Sequence, residues 1–293
     1  MEARFDYDTA FSRNIGWLTG AEQQALRHKR VAIAGLGGVG GRHLLTLTRL
    51  GIGRFSIADP DTFDVANFNR QLGADMHSVG RPKLDVMSEL ALAVNPELEL
   101  RQHAEGVTEE NLDRFLDGVD LYVDGLDFFV IEMRERVFAA CAERGIPAIT
   151  AAPLGMGTAF LAFLPGQMDF EDYFGMRGQP TQEKLLRFLV GLSPAMLQMR
   201  YLVDPTTADF EAQRGPSTAM GCDLSAGVTG TMALKILLGR GKVPAAPHGL
   251  HFDAYRNRAA NTWRPGGMRN PLQRLMLTIA RARLGARAAQ KPN

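Results

Sequence analysis

The run RVAIAGLGGVGGRHLLTLTRLGIGRFSIADPD, residues 30–61, restricts the possible folds of this chain more than any other stretch. An apolar strand over 31–34 breaks at Gly35, a helix opens near Gly40, and a second strand over 54–58 ends at Asp59. Gly35, Gly37 and Gly40 carry the G-x-G-x-x-G spacing. It permits a tight turn, a close approach of backbone to phosphate, and a helix N-terminus whose unpaired N–H groups face an anion. Gly38 and Gly41 widen that approach. Asp59 stands 19 residues past Gly40, where a carboxylate can accept hydrogen bonds from ribose hydroxyls. By itself this stretch favours a nicotinamide dehydrogenase.

The alternation continues along the chain. Helices are predicted over 21–28, 82–94, 109–115 and 131–144, and strands over 98–103, 121–124 and 148–150. Such alternation predicts an α/β, Rossmann-like, doubly wound and mostly parallel sheet with helices on both faces. After a further strand near 158–163 the texture changes, and a soft boundary falls near Pro165. It separates a nucleotide-binding part, 1–164, from a less regular substrate or dimer half, 165–293, although the two can form one continuous domain. In the second half the stretch EKLLRFLVGLSPAMLQMRYL reads as helical and a long helix is expected from Asp223 to about 238. A β-ribbon should run through 250–263, and Asn270 and Pro271 open a last helix. In that helix Leu272, Leu275, Met276 and Ile279 share one side, which predicts that this side packs and a basic face is solvated.

With 45% apolar and 22% charged residues and a net charge of +1 over 293 residues, the chain lacks the basic bias of a dedicated nucleic-acid binder. No stretch approaches the ~20 apolar residues of a membrane helix or the core of a signal peptide. The expectation is therefore a cytoplasmic protein without a membrane or nucleic-acid partner. Two cysteines, Cys141 and Cys222, supply neither a disulfide framework nor a four-cysteine zinc site. From Ala254 onward there are nine Arg and Lys residues and no acid, an asymmetry that suits an acidic or phosphate-rich partner.

The segment after Asp59 separates the two nucleotide readings. Asn67, Arg70 and Lys83 follow the ribose acid on a loop and helix start from which they can fold over nucleotide phosphates. Phosphoryl or nucleotidyl transfer needs such donors, because charge accumulates on the phosphate in the transition state. Hydride transfer does not. LYVDGLDFF then ends a strand with Asp124 and Asp127 at the carboxyl edge of the sheet, where one carboxylate can share Mg²⁺ with substrate phosphates. Asp61 and Asp124 are second choices for the same site.

GLGGVGG, DPD, NFNRQ, GRPK and DGLD occur in this order, preceded by the arginine-bearing FSRNIGWL. The chain thereby resembles the ThiF/MoeB group, related to the ubiquitin-activating enzymes, well over about 10–165 and more loosely along the helix after Cys222. The resemblance implies an adenylyltransferase in which a substrate carboxylate attacks the α-phosphorus of ATP, giving an acyl adenylate and pyrophosphate. The carboxylate would be the C-terminus of a ubiquitin-like small protein or peptide, or another carboxylate. It implies that Gly38 and its neighbours meet the α-phosphate, that Asp59 binds ribose, that Asn67, Arg70 and Lys83 contact the phosphates, and that Asp127 binds Mg²⁺. It also implies that Arg13 reaches the triphosphate from the other subunit of a homodimer. Phe128 and Phe129 depart from the family, which often has Asn after the metal-binding Asp.

Cys222 stands directly before the expected helix, and a thiol at a helix N-terminus can be an activated nucleophile. The alternative is a small residue packed on the floor of the site. Cys141 reads as core. An NAD(P)-dependent oxidoreductase and a nucleotide-binding scaffold without turnover stand as the alternative functions.

Overall fold

The computed structural model describes residues 4–207 and 212–288. Its centre is one eight-stranded sheet in the order β3-β2-β1-β4-β5-β6-β7-β8. The strands are β1 (Arg30–Ala34), β2 (Arg54–Ala58), β3 (Glu99–His103), β4 (Leu121–Asp124), β5 (Ala148–Leu154), β6 (Gly157–Phe163), β7 (His248–Asp253) and β8 (Arg258–Trp263). The first five pair in parallel and the last three antiparallel. β7, from beyond residue 165, pairs with β6, from before it, so the two halves of the sequence share one sheet.

Strand alternation divides the core. Val31, Ile33, Ile57 and Val123 face one apolar cluster, and Ala32, Ala34, Ala58 and Tyr122 face another. The first cluster is covered by α2 (Gly20–Arg27), α3 (Gly40–Arg49), α4 (Lys83–Val94) and α9 (Ala219–Leu237). The second is covered by α5 (Leu112–Leu116), α6 (Ile131–Glu143), α7 (Phe170–Phe174) and α8 (Thr181–Leu192), with α10 (Pro271–Ala288) over α8. A short α1 (Tyr7–Ala10) precedes them. With both faces covered, the inner strands are buried along their whole length, as parallel sheets require. No helix among the described residues is long and apolar enough to cross a membrane.

Three local expectations change. The stretch read as one helix through residue 202 ends at Leu192, because Pro194 drives Ser193 out of the helical region, to φ −126° and ψ 59°. The long helix begins at Ala219 rather than Asp223, since Thr218 caps it by accepting from the Gly221 N–H at 3.1 Å. On α10 the faces are reversed. Gln273 and Leu277 are buried, Met276 is partly buried, and Leu272, Leu275 and Ile279 face outward. Both amide atoms of Gln273 are buried without a partner, a cost of about 1–3 kcal/mol for each group. Asn270 does open this helix as expected, accepting from the Leu272 N–H at 3.0 Å.

His43, on α3, is wholly buried and neither ring nitrogen has a partner, so desolvation pushes its pKa down to about 3. The unfolded chain takes up a proton near pH 6.5 that the folded chain refuses until about pH 3, so stability falls as pH drops through that window. At about pH 4.5 the loss from this residue is on the order of 2–3 kcal/mol relative to neutral pH. Urea unfolding of wild type and His43→Leu, each near pH 7 and near pH 4.5, should show a smaller acid penalty in the variant. Equal penalties would show that His43 is not the titrating group.

Candidate active site

The strand order reverses at β1, whose neighbours β2 and β4 are reached in opposite directions, and in doubly wound sheets ligands bind in the crevice beyond the carboxyl ends of the strands at such a reversal. Two backbone turns meet there. Gly35 leaves β1 at φ +84°, its N–H donating to Ala58 O at 2.7 Å, while the Gly125 N–H donates to Ala34 O at 2.9 Å. A Cβ at Gly35 would lie 2.3 Å from Gly125 O, and one at Gly40 only 1.7 Å from Gly35 O. Neither position admits a side chain. α3 starts at Gly40, so its positive dipole end points into the crevice.

Asp59 is buried and braces this turn. One carboxylate oxygen accepts from the Leu36 N–H at 2.6 Å and the other from the Asp61 N–H at 2.9 Å. Burial raises its pKa, and the two N–H groups oppose the rise. Each oxygen keeps a further lone pair for another donor. Asp61 in turn accepts from Lys83 Nζ at 2.9 Å, and the Lys83 N–H donates to Asp61 O at 2.9 Å. Lys83 is the first residue of α4 and is almost fully buried. Asn67 closes a one-turn 3-10 helix by accepting from the Asp64 N–H at 3.0 Å. Arg70, three residues on, lies over the glycine turn, its Cγ 3.4 Å from the position of a Cβ on Gly38. The guanidinium of Arg70 is held by Ala66 O at 3.1 Å and Asn69 Oδ1 at 2.9 Å.

Asp127 is exposed on the loop after β4, and its Oδ1 accepts from the Phe129 N–H at 3.0 Å. Arg134 of α6, buried beneath, shapes that loop. Its Nε donates to Asp124 Oδ2 at 2.8 Å, and its terminal nitrogens reach the carbonyls of Leu126 at 2.6 Å, Asp127 at 3.0 Å and Phe128 at 3.3 Å. The guanidinium also lies over the Phe188 ring, 4.5 Å from its centroid. Asp124 is therefore committed to Arg134 and does not face the crevice as a ligand. Among the described residues no three His, Cys, Asp or Glu side chains gather to hold a metal by themselves. An exposed carboxylate such as Asp127 fits Mg²⁺ only jointly with phosphate oxygens.

Gly35, Gly37, Gly38, Gly40, Asp59, Asn67, Arg70, Lys83 and Asp127 thus lie on the segments that follow the carboxyl ends of β1, β2 and β4. Arg13 does not join them. Its neighbour Asn14 donates to Leu50 O at 3.3 Å, beyond the C-terminus of α3, about 15 Å of helix away from the glycine turn. Cys222 lies inside the first turn of α9, wholly buried, and a Cβ on Gly38 would come within 3.2 Å of its Sγ. Desolvation raises the thiol pKa, and Ser217, Arg42 and Arg70 offset it in lesser measure. α9 starts earlier than its sequence suggests and encloses the thiol, which accords with the reading of Cys222 as a small residue packed on the floor of the site. Cys141 is buried too, its pKa pushed up to about 12 by desolvation.

Three residues escaped sequence reasoning. Arg134 could have been noticed as a cation on the buried face of a helix carrying Val137, Phe138 and Cys141. Arg42 joins three elements, donating to Asp223 of α9 and to Arg70 O from α3. Gln71 packs its amide beside Gly37, 3.6 Å from the position of a Cβ there, with Oε1 buried and unpartnered. Neither Arg42 nor Gln71 carries a periodicity signal.

A sequence profile of the ThiF family matches residues 11–274. The chain is 35% identical over 148 residues to the tRNA threonylcarbamoyladenosine dehydratase of Bacillus subtilis (strain 168), covering 48% of this chain and 55% of that one. It is 31% identical over 143 residues to the sulfur carrier protein ThiS adenylyltransferase of Escherichia coli (strain K12), covering 49% and 56%. The chain thus aligns with little more than half the length of these relatives. Among solved structures PaaA superposes with a TM-score of 0.68 at 17% identity, over 89% of this chain and 84% of PaaA, a likeness of fold.

Arg134→Met should destabilise the protein by about 3–5 kcal/mol, because it strands the Asp124 carboxylate in the interior. Adding Asp124→Leu should recover most of that loss. Denaturant midpoints of the single and double variants test this, and additive losses would contradict it.

Proposed function

The chain is a member of the ThiF family, and on that footing we propose that it is an ATP-dependent adenylyltransferase that activates a substrate carboxylate. The observation that carries this reading is that Arg70 lies over the glycine turn while Lys83 is tied through Asp61 to the Asp59 carboxylate that braces that turn. A hydride-transfer site has no use for that set, which sets aside the NAD(P)-dependent oxidoreductase.

In the proposed reaction a carboxylate oxygen attacks the α-phosphorus of ATP. The new O–P bond forms as the bond from the α-phosphorus to the bridging oxygen breaks, and pyrophosphate leaves with that electron pair. Backbone N–H groups from Gly37 to Gly40 and the α3 terminus hold the α-phosphate, and Asp59 holds the ribose through its remaining lone pairs. Arg70, Asn67 and Lys83 stabilise charge on the phosphates. Lys83 must release Asp61 to do so, a short move for a flexible side chain. Asp127 is the residue that would hold Mg²⁺ together with the phosphates, and the bound ion would supply charge neutralisation. Residues 1–164 form the ATP-binding part in this reading, and 165–293 contribute the substrate and dimer half.

The relatives divide over the acyl group. One is named for a sulfur carrier protein and the other for threonylcarbamoyladenosine in tRNA. We favour the C-terminal carboxylate of a ubiquitin-like small protein or peptide. A homodimer completes the site by bringing Arg13 across. Two exposures support that: Ile15 and the 84% exposed Trp17 flank Arg13, and Val65, Leu72 and Met76 are exposed beside Arg70. Burial of such surface is the usual driving force of a stable dimer.

Labelled pyrophosphate should enter ATP when protein, Mg-ATP and the right carboxylate are combined, with a ubiquitin-like protein ending in Gly-Gly and threonylcarbamoyladenosine-bearing tRNA tried separately. Lys83→Ala should lower exchange by about a hundredfold or more while the protein stays folded. Absence of exchange with every carboxylate, with tight NAD binding, would overturn the reading. For the dimer, Arg13→Ala and Lys83→Ala are each expected to be inactive, and mixing them should restore part of the activity through hybrid dimers. Failure of the mixture to recover would place Arg13 outside the shared site.

A further inference from the structure

Arg42 takes no part in the chemistry above, yet its contacts converge on Arg70. It stands third in α3, in the first turn, where a cation opposes the positive end of the helix dipole. Its side chain is nevertheless only 10% exposed, and two of its nitrogens are engaged. Nε donates to Asp223 Oδ1 in α9, and a terminal nitrogen donates to the Arg70 carbonyl. The segment from Asn67 to Gln71 depends on such ties, because it belongs to no strand and much of its bonding is internal. The N–H groups of Arg70 and Gln71 both donate to Asn67 O, at 3.1 and 2.9 Å, and the Arg70 guanidinium is held by Ala66 and Asn69 of the same stretch. Arg42 ties this stretch to the body of the fold, as does Asn69, whose Nδ2 donates to Ser217 O at 3.0 Å just before α9. Above Gly38 the three elements meet: a Cβ there would lie 3.2 Å from Cys222 Sγ and 3.4 Å from Arg70 Cγ.

On the adenylation reading, on which this rests and which brings nucleotide phosphates to Arg70, we propose that Arg42 is a positioning residue. Anchored by Asp223, it fixes the backbone of Arg70 and so sets that side chain over the glycine turn. Arg42 acts through Arg70, since its own nitrogens are committed to Asp223 and to the Arg70 carbonyl. A binding arm tied down in advance loses less freedom when its ligand arrives, so the effect falls on affinity for the phosphates. A cation near phosphates would also favour ATP through its field alone, whatever its contacts. Asp223 separates the two explanations. If only the field mattered, removing this carboxylate would strengthen ATP binding; if Arg42 holds Arg70, removing its anchor weakens ATP binding.

Isothermal titration calorimetry of the full chain with Mg-ATP, and separately with adenosine, tests this. Arg70→Ala and Arg42→Met should each weaken ATP binding roughly tenfold or more, and Asp223→Ala a few-fold in the same direction. Adenosine carries no phosphate, so its affinity should stay unchanged in all three, which also confirms that the variants fold. Arg42→Met added to Arg70→Ala should cause no further loss, because both remove one function. Unchanged ATP affinity in Arg42→Met, losses that add in the double variant, stronger ATP binding by Asp223→Ala, or an equal loss for adenosine would overturn the proposal. Pyrophosphate exchange by the wild type, followed in parallel, bears on the adenylation reading separately. The expected pattern of ATP binding without any exchange would count against adenylation and leave the role of Arg42 standing.

Discussion

Two backbone turns, one leaving β1 and the other leaving β4, press together so closely at Gly35, Gly40 and Gly125 that no Cβ fits between them. Much else in the molecule follows from that contact. It sets where α3 starts, hence where its dipole points, and it brings the loop bearing Asp127 alongside the glycine turn. The contact is cheap only for glycine, because any side chain here would have to displace backbone rather than a flexible neighbour. The sheet order is its complement, since reversing direction at β1 is what leaves a crevice above these two turns.

Electrostatics then holds each side of the crevice by a different device. On one side Asp59 and Lys83 form a chain through Asp61, part backbone and part side chain. On the other, Arg134 gathers a carboxylate and several carbonyls of one loop in the interior. A buried guanidinium is tolerable because its donors are nearly all used and its face rests on Phe188.

Much of this was legible in the sequence because the signals were local and mutually consistent. Glycine spacing, strand periodicity and the acid at the end of β2 all concern residues within one βαβ unit, and the parallel part of the sheet followed from them. What was hidden depended on partners distant in the chain. α8 ended early because of Pro194, a signal that was present but outweighed by the apolar run after it. α9 starts at Ala219 rather than Asp223 because Thr218 caps it, and the earlier start encloses Cys222. On α10 the inner face differs from the expected one because amphipathicity assigns a face only if the apolar side packs, and here Leu272, Leu275 and Ile279 are exposed. Arg42 joins residues more than a hundred positions apart, which no periodicity records.

Asp59 has a consequence of a kinetic kind. Both of its oxygens already hold backbone N–H groups of the turns they border, so these turns are braced without a ligand. An arriving ligand does not have to order a loop as it binds, and the entropy of that ordering was lost when the chain folded. In the proposed adenylation, capture of the nucleotide should then proceed at the pace of encounter, and differences in affinity should lie in how fast it leaves.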